Sequence, residues 1–212
     1  MFSDIKIRSY SAAGLAFLSF LALYFGEFYL KLFIFFVSAV LFFEWMRIIS
    51  QTQWIIRGLL ALFFATFVLF TDGYSALDLL FVIVGSIIIS SFSAYFNAPP
   101  FWSCFGYIYI LLSLCFLEYI RSLENGLLTI LIIISTIMVS DISGYIFGKY
   151  FSGPKIFKKI SPNKTYSGFT ASVLLSVLWF SILSLIYSLH NPVTFIFIGL
   201  FITIFSIIGD LL

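Results

Sequence analysis

Two carboxylates in this 212-residue chain stand where a carboxylate is costly. Asp141 lies in the apolar string Val139-Ser140-Asp141-Ile142-Ser143-Gly144-Tyr145, and Asp210 follows a long charge-free run ending at Gly209. A charge at membrane depth costs several kcal/mol unless it is paired or wet, so an acid there is a functional candidate by default. Gly144, Tyr145 and Gly148 follow Asp141 at i+3, i+4 and i+7, which lays small residues beside the acid on one helix face. Packing through small residues is the plain alternative for Asp141, and a polar helix terminus is the plain one for Asp210.

The second chemical string is Lys158-Lys159-Ile160-Ser161-Pro162-Asn163-Lys164-Thr165-Tyr166-Ser167-Gly168. A hydroxyl, a proline turn, a lysine and a second hydroxyl fall within five residues, and Gly168 follows at the start of a helix. Helix N-termini bind anions through their free amides. Carboxylates hold Mg²⁺ and lysines neutralise phosphate oxygens, so the two strings together suit a phosphate-bearing substrate carried with a divalent ion. For Lys155, Lys158 and Lys159 the simpler reading is topology or contact with anionic lipid.

These residues need a scaffold, and the composition says which kind. The chain is 62% hydrophobic and 9% charged, with 29 phenylalanines. An ordinary soluble domain carries ~25% charged residues. This composition excludes a free soluble protein, a disordered chain and a nucleic-acid binder. An outer-membrane barrel is excluded as well, because its lumen face would make alternate strand residues polar. The expected fold is all-α: a polytopic membrane helical bundle of about eight transmembrane helices, forming a single transmembrane domain over residues 1–212. Residues 1–124 form its N-terminal helices and residues 125–212 its chemical part.

The charges and prolines divide the chain. Apolar runs lie between Arg8 and Glu27, from Lys31 to Glu44, and between Arg57 and Asp72. The second and third are short for a span of ~20 residues, so Lys31 and Arg57 are expected inside their helices with the charged heads reaching the interface. The charge-free run from Leu79 to Leu117 is broken by Asn97-Ala98-Pro99-Pro100. A sixth helix starts near Asn125, and His190-Asn191-Pro192 separates a seventh from an eighth. The segment Lys149 to Lys164 is expected as a loop, or a short interfacial helix followed by a loop. Cys104 and Cys115 lie too far apart along one helix to bridge and read as core residues. With the N-terminus in the cytoplasm, Lys6, Arg8, Arg47, Arg57, Lys149, Lys155, Lys158, Lys159 and Lys164 fall on that side, nine of the eleven bases. Asp141, Asp210 and the lysine-rich segment share it.

The strings Ser140-Asp141-Ile142-Ser143-Gly144-Tyr145-Ile146-Phe147-Gly148-Lys149 and Ile160-Ser161-Pro162-Asn163-Lys164-Thr165-Tyr166-Ser167-Gly168, with Gly209-Asp210-Leu211, resemble the phosphatidate cytidylyltransferase family. Its pattern reads Asp-x-x-Ala-Tyr-x-x-Gly, then Ser-Pro-x-Lys-Thr-x-x-Gly, then Gly-Asp-Leu. The likeness covers the C-terminal third, and the first ~120 residues match only as a hydrophobic bundle. Tyr166, Ser167, Ala171 and Ser172 depart from the usual Trp, Glu and paired glycines. The family's later segments, including a second metal-binding Asp, have no counterpart, so the chain is expected to resemble a member cut just after its first metal ligand.

The resemblance implies transfer of a cytidylyl group from CTP to phosphatidate, giving CDP-diacylglycerol and pyrophosphate with Mg²⁺, and a second metal ion is compatible with it. It implies Asp210 as a metal ligand, and Asp141 as an active-site carboxylate and candidate second ligand. Asp141, Asp210 and Lys164 are thus the catalytic candidates. Ser161, Lys164 and Thr165 would contact phosphates, with Tyr145 beside them, and Gly144, Gly148 and Gly168 would allow close backbone approach. The implied setting is a bacterial-type inner membrane, with membrane lipids as partners, no nucleic acid and a homodimer left open. The alternatives are a CTP-dependent lipid kinase and a small transporter using Asp141 as an intramembrane ion site.

Overall fold

A computed structural model of the chain describes residues 2–71, 76–157, 161–187 and 192–209. Among them are eight helices: α1 (Phe2–Phe25), α2 (Glu27–Ile49), α3 (Trp54–Phe70), α4 (Ala76–Tyr95), α5 (Pro100–Ser122), α6 (Gly126–Phe151), α7 (Tyr166–Ile186) and α8 (Pro192–Gly209). By length and composition α2, α4, α5, α6 and α7 are long and apolar enough to cross a membrane, and residues 10–25, 54–70 and 196–209 form shorter apolar helices. The architecture is all-α, polytopic and membrane-embedded. Two compact units divide it, Met1–Leu127 and Leu128–Leu212.

In the first unit α2 packs on α3 and α5, α4 packs on both of those, and α1 lies on α2. The inward face of α2 repeats every fourth residue: Leu30, Ile34, Ser38, Phe42 and Met46 are buried. Phe36, Val40 and Leu41 of the same helix point outward and are exposed. Lipid is as apolar as leucine, so outward phenylalanines lose nothing there, and the inward face is chosen by fit. The proline break ends α4 with Asn97 at φ 55° and starts α5 with Pro100 in its first turn, where the missing amide is not needed. Cys104 and Cys115 are free thiols on α5.

Arg57 departs from the snorkelling expected of it. It is fully buried. Its Nη2 donates to the carbonyls of Met46 (3.1 Å) and Ser50 (2.6 Å), its Nε to Thr52 O (3.1 Å), and its Nη1 to Ser103 Oγ on α5 (3.3 Å). The last carbonyls of a helix have no intrahelical amide and carry partial negative charge, so a guanidinium satisfies them and is itself neutralised. Arg121 does the same for α1, donating from Nε to Leu23 O at 2.7 Å and from Nη2 to Tyr24 O at 3.2 Å. Lys31 also turns to protein, pairing with Glu118 at 3.5 Å.

The second unit has little aliphatic core. Ile132 and Phe180 form one cluster with Leu128, Leu183 and Ile202 around it. Ile130 is buried too, and hydroxyls line much of the remaining interior: Thr136, Ser140 and Ser143 on α6, Ser172, Ser176 and Ser184 on α7, and Thr203 on α8 are all buried. The segment expected as a loop or interfacial helix is instead an antiparallel hairpin, β1 (Lys155–Phe157) and β2 (Ser161–Thr165). Lys155 pairs with Thr165 and Phe157 with Ser161, with a register irregularity between. Pro162 is tolerated because each strand of a two-stranded ribbon is an edge.

The Met46 carbonyl also accepts from Ser50 N at 3.2 Å, so replacing Arg57 with Met should strand chiefly the Ser50 carbonyl, at about 1–3 kcal/mol for a dry polar group. Thermal unfolding in detergent is expected to show a clearly lower Tm for Arg57→Met and a smaller loss for Arg57→Lys. An unchanged Tm for Arg57→Met would contradict the capping role.

Candidate active site

The hairpin folds back because α6 is stopped sharply. Ser152 and Gly153 both take positive φ, 50° and 134°, and Pro154 follows. The chain then returns along β2 and runs directly into α7. Two bonds fasten this return to the end of α6: Tyr166 N donates to Pro154 O at 3.1 Å, and Ser167 Oγ donates to Ser152 O at 2.8 Å. Thr165 is the N-cap of α7, extended at φ −109° and ψ 156°, and its Oγ1 accepts from Gly168 N at 3.2 Å. That oxygen also lies 3.1 Å from Ser167 Oγ.

Three glycines then let α6 and the start of α7 meet backbone to backbone. A Cβ on Gly168 would lie 2.6 Å from the Gly144 carbonyl oxygen and 3.2 Å from Gly148 Cα. A Cβ on Gly148 would lie 3.0 Å from Thr165 Oγ1 and 3.4 Å from Gly168 Cα. The obstacles to a side chain at Gly168 are mainly backbone atoms, so any larger residue there must push the helices apart.

A cavity of about 350 Å³ opens beside this contact. α6 contributes Asp141, Gly144 and Tyr145; the hairpin contributes Ile156, Lys164 and the cap residue Thr165; α7 contributes Gly168, Phe169 and Ser172; α8 contributes Ile207. Six residues singled out in the sequence therefore share one cavity: Asp141, Gly144, Tyr145, Lys164, Thr165 and Gly168. Gly148 is not in the wall and serves the helix contact. Ser161 lies in β2, but its side chain is outside the described residues, as is Asp210 entirely. The Tyr145 ring is largely exposed, with Lys149 Nζ 5.9 Å from its centroid, within cation–π range.

Four wall residues went unread in the sequence: Ile156, Phe169, Ser172 and Ile207. Ser172 was the accessible one, since it follows Gly168 by four residues and shares its buried helix face. The apolar three carry no signal in a chain this hydrophobic.

The wall brings together a carboxylate, an ammonium and hydroxyls against apolar side chains. No group of three or more His, Cys, Asp or Glu occurs among the described residues. Mg²⁺ commonly takes one or two carboxylates and completes its shell with water and substrate phosphate. The donor set fits a cation that arrives with its phosphates, which Asp141 could ligate and Lys164 could accompany as counter-charge.

Thr165→Ala should remove the α7 cap at a cost of about 1 kcal/mol, and Thr165→Ser should retain it. Hydrogen exchange of the first turn of α7 is expected to speed up in the alanine variant alone. Equal exchange in both would contradict the cap.

The cytidylyltransferase family model matches residues 6–212. Over 151 residues the chain is 34% identical to a phosphatidate cytidylyltransferase of Aquifex aeolicus, covering 70% of this chain and 55% of the relative. It is 32% identical over 106 residues to that of Bacillus subtilis, covering 48% and 39%. It is 43% identical over 70 residues to that of Chlamydia muridarum, covering 33% and 22%. The aligned stretches thus span about half the length of these relatives or less. No solved structure matches significantly.

Proposed function

The chain belongs to the cytidylyltransferase family, and from that premise we propose that its cavity transfers a cytidylyl group from CTP to phosphatidate. The observation that carries this reading is the meeting of Asp141 and Lys164 in one wall, each from a different motif and a different element.

In the proposed reaction a phosphate oxygen of phosphatidate attacks the α-phosphorus of CTP. A new P–O bond joins lipid phosphate to cytidylate, the bond from that phosphorus to the bridging oxygen breaks, and pyrophosphate leaves with its electron pair. Little covalent work falls to the protein, and the rate comes from alignment and from charge stabilisation. Lys164 faces the charge that grows on the leaving pyrophosphate. Thr165 is engaged with Gly168 N and Ser167 Oγ, so its part is to hold the backbone that presents Lys164. Ile156, Phe169 and Ile207 keep the wall apolar, which strengthens every charge interaction beside it. Asp141, with Asp210, would hold Mg²⁺, which supplies Lewis-acid neutralisation of the phosphates when bound. Ser161 would add a phosphate contact.

The lysine and arginine asymmetry supports placing the hairpin and the N-terminus on the cytoplasmic face of a bacterial-type inner membrane, the side that holds CTP. Phosphatidate would reach the same cavity from the bilayer.

Transfer of label from α-labelled CTP into chloroform-soluble lipid tests the reading. Asp141→Asn and Asp210→Asn are each expected to lower transfer by about 10²-fold or more, in the range of losing one charge-stabilising group. Removal of divalent ions by EDTA should abolish transfer, and Mg²⁺ should restore it. Wild-type transfer by Asp141→Asn would contradict the assignment.

A further inference from the structure

The peptide leading into Asp141 is held by an unusual number of donors. The Ser140 carbonyl oxygen accepts from Ser143 Oγ at 3.0 Å and from Ser172 Oγ of α7 at 2.7 Å. In a regular helix it is also the acceptor for the amide of residue 144. A carbonyl has two lone pairs, so three donors fix its direction closely. Hydroxyl bonds to a helix carbonyl also tilt the local backbone. Ser140 and Ser172 are 1% and 6% exposed, which leaves water little room to replace the interhelical bond.

That bond depends on a missing side chain. A Cβ on Gly144 would collide with Ser172 Oγ, so the hydroxyl occupies space that only glycine leaves open. Ser172 is tied from behind as well. Its own carbonyl accepts from Ser176 Oγ, which lies 2.6 Å from Thr203 Oγ1 on α8. Ser172 and Asp141 line the same cavity from two helices.

We propose that Ser172 is a positioning residue for Asp141: by holding the Ser140 carbonyl across the α6–α7 contact, it sets the peptide that carries the carboxylate and so the direction in which that carboxylate meets the substrate phosphates. The proposal rests on the reading of Asp141 as an active-site carboxylate. Ser172 itself need not touch substrate. The hydroxyl is this chain's own device, since the family usually has glycine at this position, and its role is distinct from helix packing, which alanine would serve equally well.

The test compares Ser172→Ala, Ser172→Thr and Asp141→Asn in the full protein in detergent, with CTP, phosphatidate and Mg²⁺. Ser172→Ala is expected to lower kcat about tenfold with KM for CTP and Tm little changed, a loss typical of a misplaced group. Ser172→Thr, which keeps a hydroxyl, should recover most of that loss. Independently of turnover, hydrogen exchange in residues 141–146 should rise in Ser172→Ala and not in Ser172→Thr. A wild-type kcat for Ser172→Ala beside an inactive Asp141→Asn would overturn the positioning role and leave the site assignment standing. A lowered Tm with unchanged kcat in the folded fraction would make Ser172 purely structural and overturn it too. An active Asp141→Asn, or a wild-type protein that turns over no CTP, would overturn the underlying reading of the cavity.

Discussion

The second unit depends on one contact: the backbone of α6 lying against the first turn of α7 at Gly144, Gly148 and Gly168. Among the described residues, it places the candidate site groups. Asp141 sits one turn from the contact on α6, and Lys164 and Thr165 enter it at the N-terminus of α7. A methyl group on Gly168 would meet the Gly144 carbonyl oxygen and Gly148 Cα, atoms that belong to a helix and cannot swing aside. The two motifs, separated by the hairpin in sequence, thus become the facing walls of one cavity. The hairpin makes this possible by reversing the chain within a few residues, so that α7 starts where α6 ends.

Lipid as solvent explains the rest of the interior. Burying leucine against leucine gains little when the surroundings are equally apolar, and close fit and hydrogen bonding take over. The second unit accordingly buries serines and threonines and turns Ile142, Ile146, Leu174 and Leu178 outward. The same logic brings Arg57 inside. Its guanidinium meets the carbonyls that end α2, and helix end and cation neutralise each other. Arg121 repeats the arrangement at the end of α1.

How much of this was legible in the sequence varies by residue. Asp141 stood out because so few charges surround it, and the spacing of Gly144 and Gly148 from it is helical. The proline breaks marked the helix ends around Pro100, and the Thr165 to Gly168 spacing matches a cap. The hairpin was hidden because Lys155–Phe157 and Ser161–Thr165 are too short to show alternation, and Pro162 reads as a turn. Arg57 was misread because a base near a helix end ordinarily reaches for water, and the carbonyls it caps belong to another helix. In the sequence Ser172 reads only as a departure from the usual glycine. Its bond to Ser140 O spans two helices, and no local pattern encodes such a pair. Asp210 is legible only as a motif, since it lies outside the described residues.

The most direct measurement is label transfer from CTP to phosphatidate by Gly168→Ala, read beside the Tm of the same protein. The alanine leaves every polar group of the cavity in place and alters only the distance between α6 and α7. If that contact assembles the site, transfer falls by about 10²-fold, as expected for groups displaced by roughly an ångström, while the protein still unfolds cooperatively. Wild-type transfer by Gly168→Ala would show that the helix contact does not set the chemistry.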